Sequence, residues 1–189
     1  MSTAFVLGNG KSRLGVDLNK LKTKGRIYGC NALYREFSPD VLIATDRAIS
    51  EEIQRSGYPK KHTFYTRIPK QGTGAKRIEF HYGFSSGPIA MAYAIHEGAK
   101  AIYMLGFDYA GVKGMFSNVY ENTKFYKKTS DKETFYGNWV NQCKTVIEHN
   151  PKLTFVRVIR DGILVPKDFK NLKNLRHIDM AEFLKTINI

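Results

Sequence analysis

The chain opens on the stretch that decides its fold, Ala4-Phe5-Val6-Leu7-Gly8-Asn9-Gly10. A short apolar run closed by glycine is typical of a strand buried on both faces, as in parallel sheets. The two glycines permit positive φ and close approach of the backbone to a ligand. Lys11, Ser12 and Arg13 follow and add positive charge and hydrogen-bond donors. The stretch therefore predicts a first buried strand that ends in a phosphate-binding turn.

Outward from this strand, short β-branched and apolar runs alternate with stretches of helical spacing. The predicted strands are Ala4–Leu7, Arg26–Cys30, Val41–Ala44, His62–Thr66, Ala101–Leu105 and Leu153–Ile159. The predicted helices are Arg47–Arg55, Pro88–Glu97, Lys132–His149 and Asp179–Lys185. Strands separated by helices imply right-handed crossovers between parallel strands. The sequence thus predicts an α/β, Rossmann-like fold: a mostly parallel open sheet flanked by helices, in one domain spanning residues 1–189.

Two stretches without helical or strand periodicity read as loops. Lys70–Lys76 is rich in glycine and lysine and is predicted to be a mobile loop. Ala110–Ser130 carries aromatic and polar residues in no regular order. Long loops in compact domains are usually functional or disordered. We expect residues 110–130 to form a loop or lid on the active face.

Glycines and short hydrogen-bonding side chains stand at several predicted strand ends. They are Gly8-Asn9-Gly10, Asn31, Thr45-Asp46 and Gly106-Phe107-Asp108-Tyr109, with Ser85-Ser86-Gly87 at a helix start. Ligands of open parallel sheets bind where the strands end at the carboxyl edge. A helix start offers free N–H groups and a positive dipole to an anion. Together these features predict a nucleotide site, in which Asp46 or Asp108 can hold a ribose hydroxyl, a base edge or a metal ion.

Each of these motifs also has an interpretation that needs no ligand. The Gly-x-Gly turn lacks the later glycine of the dinucleotide fingerprint and the Gly-Lys-Ser/Thr of the P-loop. Ser85 or Ser86 can simply cap the helix that follows. The prediction of a site therefore rests on the joint placement of the motifs.

Composition narrows the class of protein and of partner. Thirty Lys and Arg against 17 Asp and Glu give a net charge of +13, which attracts anions such as nucleotides, nucleic acids and acidic lipid surfaces.

The two cysteines, Cys30 and Cys143, suggest reduced core thiols rather than a disulfide framework. The apolar runs are too short to cross a bilayer, and no signal peptide is recognisable. A cytoplasmic location is expected, with peripheral contact to an acidic membrane as an addition.

The ordered motifs resemble those of a known family. Gly8-Asn9-Gly10-x-Ser12, Cys30-Asn31, Ser85-Ser86-Gly87 and Leu105-Gly106-Phe107-Asp108-Tyr109 are similar, in that order, to segments of the bacterial lipooligosaccharide sialyltransferases. The same skeleton resembles a related group that includes an archaeal hydroxymethylpterin pyrophosphokinase. The similarity covers roughly the first 110 residues.

The resemblance implies a metal-independent glycosyltransferase that moves a sugar from a CMP-sugar to an acceptor hydroxyl on a glycan or glycolipid. It places Asn9, Gly10, Asn31, Ser86 and the segment Gly106-Phe107-Asp108 around the nucleotide. The residue patterns themselves add further predicted nucleotide-binding residues, which are Gly8, Lys11, Ser12, Asp46, Ser85 and Gly87. The resemblance also implies that Tyr109 and Tyr120 steady the donor phosphate in catalysis, and Asp108 is the third predicted catalytic residue. It implies no resident cofactor and no metal.

The sequence departs from the family's pattern where the family carries a catalytic histidine. No histidine occurs between Asp108 and Glu148, and His149 ends a predicted helix. His96 fits the core stripe of its own helix better than a site. Asp108, Glu121 and His81 remain as candidate general bases.

Two alternative functions stay open from the sequence. One is a Mg²⁺-dependent pyrophosphokinase or phosphotransferase on the same skeleton, with Asp46 or Asp108 holding the metal. The other is a non-enzymatic basic domain that binds nucleotides or nucleic acid, with aromatic side chains for stacking. No zinc-finger spacing or RNA-recognition segment supports nucleic-acid binding.

Overall fold

The core of the protein is one sheet whose neighbouring strands are all parallel in the computed structural model, which describes residues 2–189. Its strands are β1 Thr3–Leu7, β2 Arg26–Cys30, β3 Val41–Ala44, β4 Phe64–Thr66, β5 Lys76–Arg77, β6 Ala101–Leu105, β7 Thr154–Ile159 and β8 Leu175–Asp179. They lie in the order β5-β4-β3-β2-β1-β6-β7-β8. The predicted fold class, α/β with a parallel sheet, is confirmed.

Five helices cover the two faces of this sheet. They are α1 Leu18–Lys22, α2 Arg47–Arg55, α3 Ser86–His96, α4 Gly137–Glu148 and α5 Met180–Ile187. Helices α3 and α4 pack on one face, where they bury residues such as Ile89, Tyr93 and Val146. The other face is covered by α1, α2 and α5, through residues such as Leu21 and Phe183. Burial on both faces explains why the central strands are continuous apolar runs.

The order of the strands reverses next to β1. From β1 the chain builds outward through β2, β3, β4 and β5, and it then returns to the other side of β1 with β6. The loops after β1 and β6 therefore leave the sheet in opposite directions and open a crevice at its carboxyl edge. This crevice lies directly after the Gly8-Asn9-Gly10 turn.

Most predicted elements occur where expected, with exceptions at the sheet edges and in the loops. Strands β2, β3 and β6 and helix α2 have the predicted bounds. Strands β5 and β8 and the short helix α1 were not predicted. Helix α1 is started by Asp17, whose carboxylate accepts from the N–H groups of Asn19 and Lys20 at 3.0 Å each.

The predicted start of α4 at Lys132 was wrong, because the helix begins at Gly137. The residues before it are extended instead: the Phe116 N–H donates to the carbonyl of Asp131 at 2.8 Å, and Met115 forms a bridge with Lys132. The expectation for His96 was also wrong, since its side chain is exposed and stacks on Phe80 with a ring separation of 3.7 Å.

The stretch 70–76 is tied to α2 by one buried side chain. The Gln54 carboxamide oxygen accepts from the Lys70 N–H at 2.7 Å and from the Thr73 hydroxyl at 3.2 Å. Its last residue, Lys76, begins β5. The prediction that this stretch is mobile remains a prediction.

Both cysteines are buried and unpaired by any disulfide, as expected. Burial raises the pKa of each thiol to about 12. Among residues 2–189, no helix has the length and apolar character needed to cross a bilayer.

Candidate functional site

A cavity opens at the carboxyl edge of the sheet, at the point where the strand order reverses. The ends of β1, β2, β3 and β6 line it, and the first turn of α3 closes one side. Its lining includes Gly8, Asn9, Gly10, Asn31, Asp46, Ser85, Ser86, Gly87, Gly106, Phe107, Asp108 and Tyr109. The structure thus brings twelve of the fifteen sequence-predicted site residues together around one cavity.

The turns after β1 and β6 are in direct backbone contact. The Gly8 N–H donates to the carbonyl of Leu105 and the Gly10 N–H to that of Gly106, both at 2.8 Å. A Cβ on Gly8 would lie 2.6 Å from the Gly106 oxygen, and Gly106 itself has a φ of +73°. Glycine is therefore required at these positions to pack the two turns against each other, in addition to exposing backbone to the cavity.

Two asparagines and a serine link three strand ends beneath the cavity. The Asn9 side-chain amide donates to the Cys30 carbonyl at 3.3 Å, while its buried carboxamide oxygen has no partner among residues 2–189. Asn31 adopts a left-handed φ of +54°, and its carboxamide oxygen accepts from the Ser86 hydroxyl at 3.2 Å. The Ser86 oxygen also accepts from the Thr45 N–H at 3.2 Å. Ser86 therefore joins the start of α3 to the ends of β2 and β3.

The start of α3 is held in a way that the sequence did not indicate. Ser85 is the residue before the helix, but its side chain makes no capping hydrogen bond. Its own N–H donates instead to the carboxamide oxygen of Gln142, on α4, at 2.9 Å. Ser86 and Gly87, whose N–H groups begin α3, line the cavity with no serine side chain bound across them, which suits an anion.

The Asp108 carboxylate is oriented by Ser12, which accounts for Ser12 although that residue lies outside the cavity lining. Both the N–H and the hydroxyl of Ser12 donate to the Asp108 carboxylate, the N–H at 3.1 Å. On the other side, the backbone of Phe107 and Asp108 is held by Arg157, a fully buried residue of β7. The Arg157 guanidinium donates to the Phe107 carbonyl at 2.7 Å and to the Asp108 carbonyl at 3.3 Å.

Tyr109 and Tyr136 each bury a hydroxyl that has no hydrogen-bond partner within the described chain. Both residues line the cavity. Burial raises the pKa of Tyr109 well above its usual value, and it also raises the pKa of Tyr136. The Tyr109 hydroxyl is buried beside the Cys143 thiol. Two neutral phenols therefore stand at one cavity with their hydroxyl oxygens buried, that of Tyr109 beside Cys143 and that of Tyr136 beside Thr134.

Tyr120 and Lys11 were predicted to serve the site, and the structure places both outside the cavity lining. The buried Tyr120 hydroxyl donates to Glu36 at 2.6 Å and accepts from Arg13 at 2.9 Å. Lys11 forms an ion pair with Glu121. Tyr120 is part of the core beside α1 and α2, and the side-chain charge of Lys11 is neutralised away from the cavity.

The candidate bases named from the sequence differ in their surroundings. Asp108 lines the cavity, but its carboxylate is already bound by Ser12. Glu121 is paired with Lys11. His81 is exposed and stacks on Phe84 with a ring separation of 4.6 Å. Asp46 lines the cavity, and its carboxylate makes no hydrogen bond to α2 as a helix cap.

Sequence reasoning missed the aromatic side of the cavity. Phe84, Phe116, Tyr136 and Trp139 all contribute to the lining. Phe84 is half exposed, and the guanidinium of Arg67 lies 4.2 Å from the centre of its ring. The signal in the sequence was the density of aromatic residues before the two helices α3 and α4. No period marked which of them face the ligand.

No protein-family model matches the chain, and no curated protein matches it at a significant level. Among solved structures, the chain is similar to the sialyltransferase CstII from Campylobacter jejuni in complex with the substrate analogue cytidine-5'-monophosphate. That match has 16% identity and a TM-score of 0.50, and it covers 92% of this chain and 86% of that chain. A complex of CstII with CMP-3FNeuAc matches at 15% identity, a TM-score of 0.52 and coverage of 93% and 86%.

A variant of Cst-II in complex with CMP matches over 100% of this chain and 98% of that chain, at 14% identity and a TM-score of 0.54. These likenesses extend well beyond the segments whose motifs resemble the sialyltransferases. The chain therefore has the fold of the sialyltransferase CstII, with a cavity at the reversal of its strand order.

Proposed function

We propose that the protein is a glycosyltransferase that binds a CMP-sugar in the carboxyl-edge cavity and transfers the sugar to an acceptor hydroxyl. The observation that carries the proposal is the convergence of four strand ends and the α3 start on one cavity, in a fold shared with sialyltransferases. Hydrogen-bonding side chains of this kind suit a nucleotide better than an apolar ligand.

The donor phosphate fits the side of the cavity formed by α3 and the two glycine turns. Free N–H groups at the start of α3 provide a positive dipole end for an anion. The hydroxyls of Tyr109 and Tyr136 are two further donors that remain protonated, because their pKa values are raised, and a rotation of each side chain brings its buried hydroxyl to the phosphate. Such donors stabilise the charge that develops on the leaving phosphate without a metal.

The nucleoside fits the side formed by the asparagines. Asn9 has a buried carboxamide oxygen without a partner, which can accept from an amino group or a sugar hydroxyl. Asn31 and Ser86 complete this side and are fixed by their mutual hydrogen bond. Asp46, an exposed residue of the lining, is the carboxylate that we assign to a ribose or acceptor hydroxyl.

Thermal shift measured with CMP, CDP, UDP, GDP, ADP and ATP, with and without EDTA, tests the proposal. A ligand that binds only the folded protein raises the melting temperature. We expect a selective rise with cytidine nucleotides that EDTA does not change, followed by detectable CMP release from a CMP-sugar. A Mg²⁺-dependent rise with ATP would instead support a phosphotransferase.

Asn31→Ala and Asn188→Ala form a matched pair for this experiment. Both asparagines have a left-handed φ, +54° and +56°, so alanine strains the backbone similarly at each. Only Asn31 lines the cavity. We expect the cytidine-dependent shift to disappear in Asn31→Ala and to persist in Asn188→Ala. Equal shifts in the two variants would show that CMP binds elsewhere.

A further inference from the structure

The exposed apolar side chains of the protein are confined to one edge of the sheet. We define the carboxyl-edge face as segments 8–17, 67–70, 78–85, 106–139 and 160–166, each of which follows the carboxyl end of a strand. All ten large apolar side chains that are exposed among residues 2–189 lie in these segments. The amino-edge connections 23–25, 56–63, 97–100 and 149–153 contain none. If single apolar residues were exposed by chance, some of them would lie at the amino edge as well.

Three of the four most exposed of these side chains project from loops next to the cavity. Leu164 is 80% exposed, Phe135 79% and Val112 60%, while Ile68, 66% exposed, follows β4. The loops that carry them are held in place: the Gly111 N–H donates to the Glu133 carboxylate at 2.7 Å, and the Leu164 carbonyl accepts from Arg157 at 3.1 Å. These side chains are thus presented on anchored backbone. Groups of exposed apolar residues usually mark an interaction surface.

Lysines accompany these apolar side chains along the chain. Lys113 follows Val112, Lys124 precedes Phe125, and Lys132 lies three residues before Phe135. Segment 106–139 contains five lysines, all exposed, and none forms an ion pair within the described residues. Lysine is depleted in protein–protein interfaces, whereas lysine beside exposed apolar residues is typical of binding to an anionic lipid surface.

We propose that the carboxyl-edge face docks on an anionic lipid bilayer, with the apolar side chains at the headgroup boundary and the lysines against lipid phosphates. The net charge of +13 supplies the long-range attraction. Because lysines occur at both edges of the sheet, the apolar side chains determine which face of the protein contacts the bilayer. The cavity, which lies at the same edge of the sheet, then faces the bilayer.

Co-sedimentation of the full chain with lipid vesicles tests the docking without any nucleotide. Vesicles of phosphatidylcholine alone are compared with vesicles in which phosphatidylglycerol replaces part of it. We expect binding to the anionic vesicles only. The triple variant Lys113→Glu, Lys124→Glu, Lys132→Glu should bind on the order of 100-fold more weakly, since each lysine near an anionic surface contributes roughly a factor of five.

The matched control is Lys24→Glu, Lys100→Glu, Lys152→Glu, which makes the same change in charge at exposed amino-edge positions. It should retain most of the vesicle binding. A second variant, Phe135→Ser with Leu164→Ser, should bind at low salt but dissociate as salt screens the lysines. Thermal melts confirm that every variant is folded.

Three results would overturn the proposal. One is the absence of binding to anionic vesicles at low salt. Another is an equal loss in the two triple-lysine variants, which would mean that charge alone collects vesicles. The third is a concentration-dependent dimer that Phe135→Ser with Leu164→Ser dissolves, which would assign the face to a second copy of the chain. Because nucleotide is absent throughout, failure here leaves the CMP thermal shift intact, and failure of that shift leaves the vesicle result intact.

Discussion

Arg157 is fully buried in the middle of β7, and none of its hydrogen bonds is to a carboxylate. It donates instead to the carbonyls of Phe107, Asp108 and Leu164. Burial lowers the pKa of the guanidinium more than the nearby Asp108 charge raises it, and the group nonetheless stays charged at neutral pH. Through these three hydrogen bonds, Arg157 connects the turn after β6 to the loop after β7.

Replacing Arg157 should affect both stability and ligand binding. We expect Arg157→Met to lower the free energy of unfolding by roughly 3 kcal/mol, because buried carbonyls lose their donors. CMP binding should weaken as well, since the turn that carries Asp108 loses its support. Urea denaturation and thermal shift measure the two effects. Arg176→Met, on the exposed side of β8, is the control and should change stability by less than about 0.5 kcal/mol.

Tyr136 offers a test that separates stability from catalysis. Its hydroxyl makes no well-formed hydrogen bond in the described chain and has only Thr134 beside it, so Tyr136→Phe should change stability by less than about 0.5 kcal/mol. If the hydroxyl stabilises the leaving phosphate, kcat for CMP-sugar cleavage should fall about 100-fold. The rate is measured as CMP release at saturating donor.

Tyr103→Phe is the control for that substitution, because Tyr103 is partly buried on the opposite face of the sheet. It should leave both stability and kcat unchanged. A Tyr136→Phe enzyme with full kcat would remove Tyr136 from the mechanism and leave Tyr109 as the phenol to be tested.

At the scale of elements, the apolar pattern predicts the centre of the sheet and fails at its edges. Strands β2, β3 and β6 are largely buried and, apart from the exposed Arg26 that begins β2, read as apolar runs. Strand β5 consists of Lys76 and Arg77, and β8 carries charged residues. Edge strands are commonly polar because charge discourages pairing with other chains. Their sequences therefore lack the signal that identified the others.

In the candidate site, too, some residues could be placed from the sequence and others could not. Residues that directly follow a strand, such as Asn9, Asn31 and Asp108, could be placed at the cavity from the sequence because parallel strands end at a common edge. Tyr136 and Trp139 stand at the start of α4, and the position of that helix start depends on tertiary contacts of the preceding loop such as the bridge between Met115 and Lys132. Tyr120 was misplaced for the same reason, since no period in residues 110–130 indicates which side chains turn toward the core.

The segment 110–130, predicted to be a loop or lid on the active face, contacts the ends of β1 and β2 at two points. The Val119 N–H donates to the Asn9 carbonyl at 2.8 Å, and the Tyr126 hydroxyl accepts from the Ala32 N–H at 3.3 Å. Phe116, Ser117 and Asn118 line the cavity. A ligand in the cavity should therefore slow local opening of this segment.

Hydrogen exchange measured with and without CMP checks this expectation. Amides of residues 116–120 should exchange more slowly in the complex, while those of the amino-edge connection 56–63 should not change. Protection that is limited to the strand-end turns, with residues 116–120 unaffected, would show that the segment is not a lid over the nucleotide.

At the scale of the whole molecule, the net charge of +13 has opposite consequences for folding and for binding. Repulsion among the cations destabilises the compact state, whereas the same field attracts anionic ligands. Raising NaCl from about 0.02 to about 0.2 M shortens the Debye length to well under half its value and screens both effects. We therefore expect the melting temperature of the unliganded protein to rise over this range while the affinity for CMP falls.

The amino-edge variant Lys24→Glu, Lys100→Glu, Lys152→Glu tests how far each of these two salt effects depends on the net charge. Three charge reversals lower the formal net charge by six units, from +13 to +7. The salt-dependent rise in melting temperature should shrink accordingly. CMP affinity should keep most of its dependence on salt, because the carboxyl-edge cations nearest the cavity are unchanged and screened charges act mainly over short distances. Melting scans and CMP titrations across the NaCl series measure the two responses. A melting temperature that falls with added NaCl would mean that attractive ion pairs, such as Arg35 with Glu52, outweigh the repulsion.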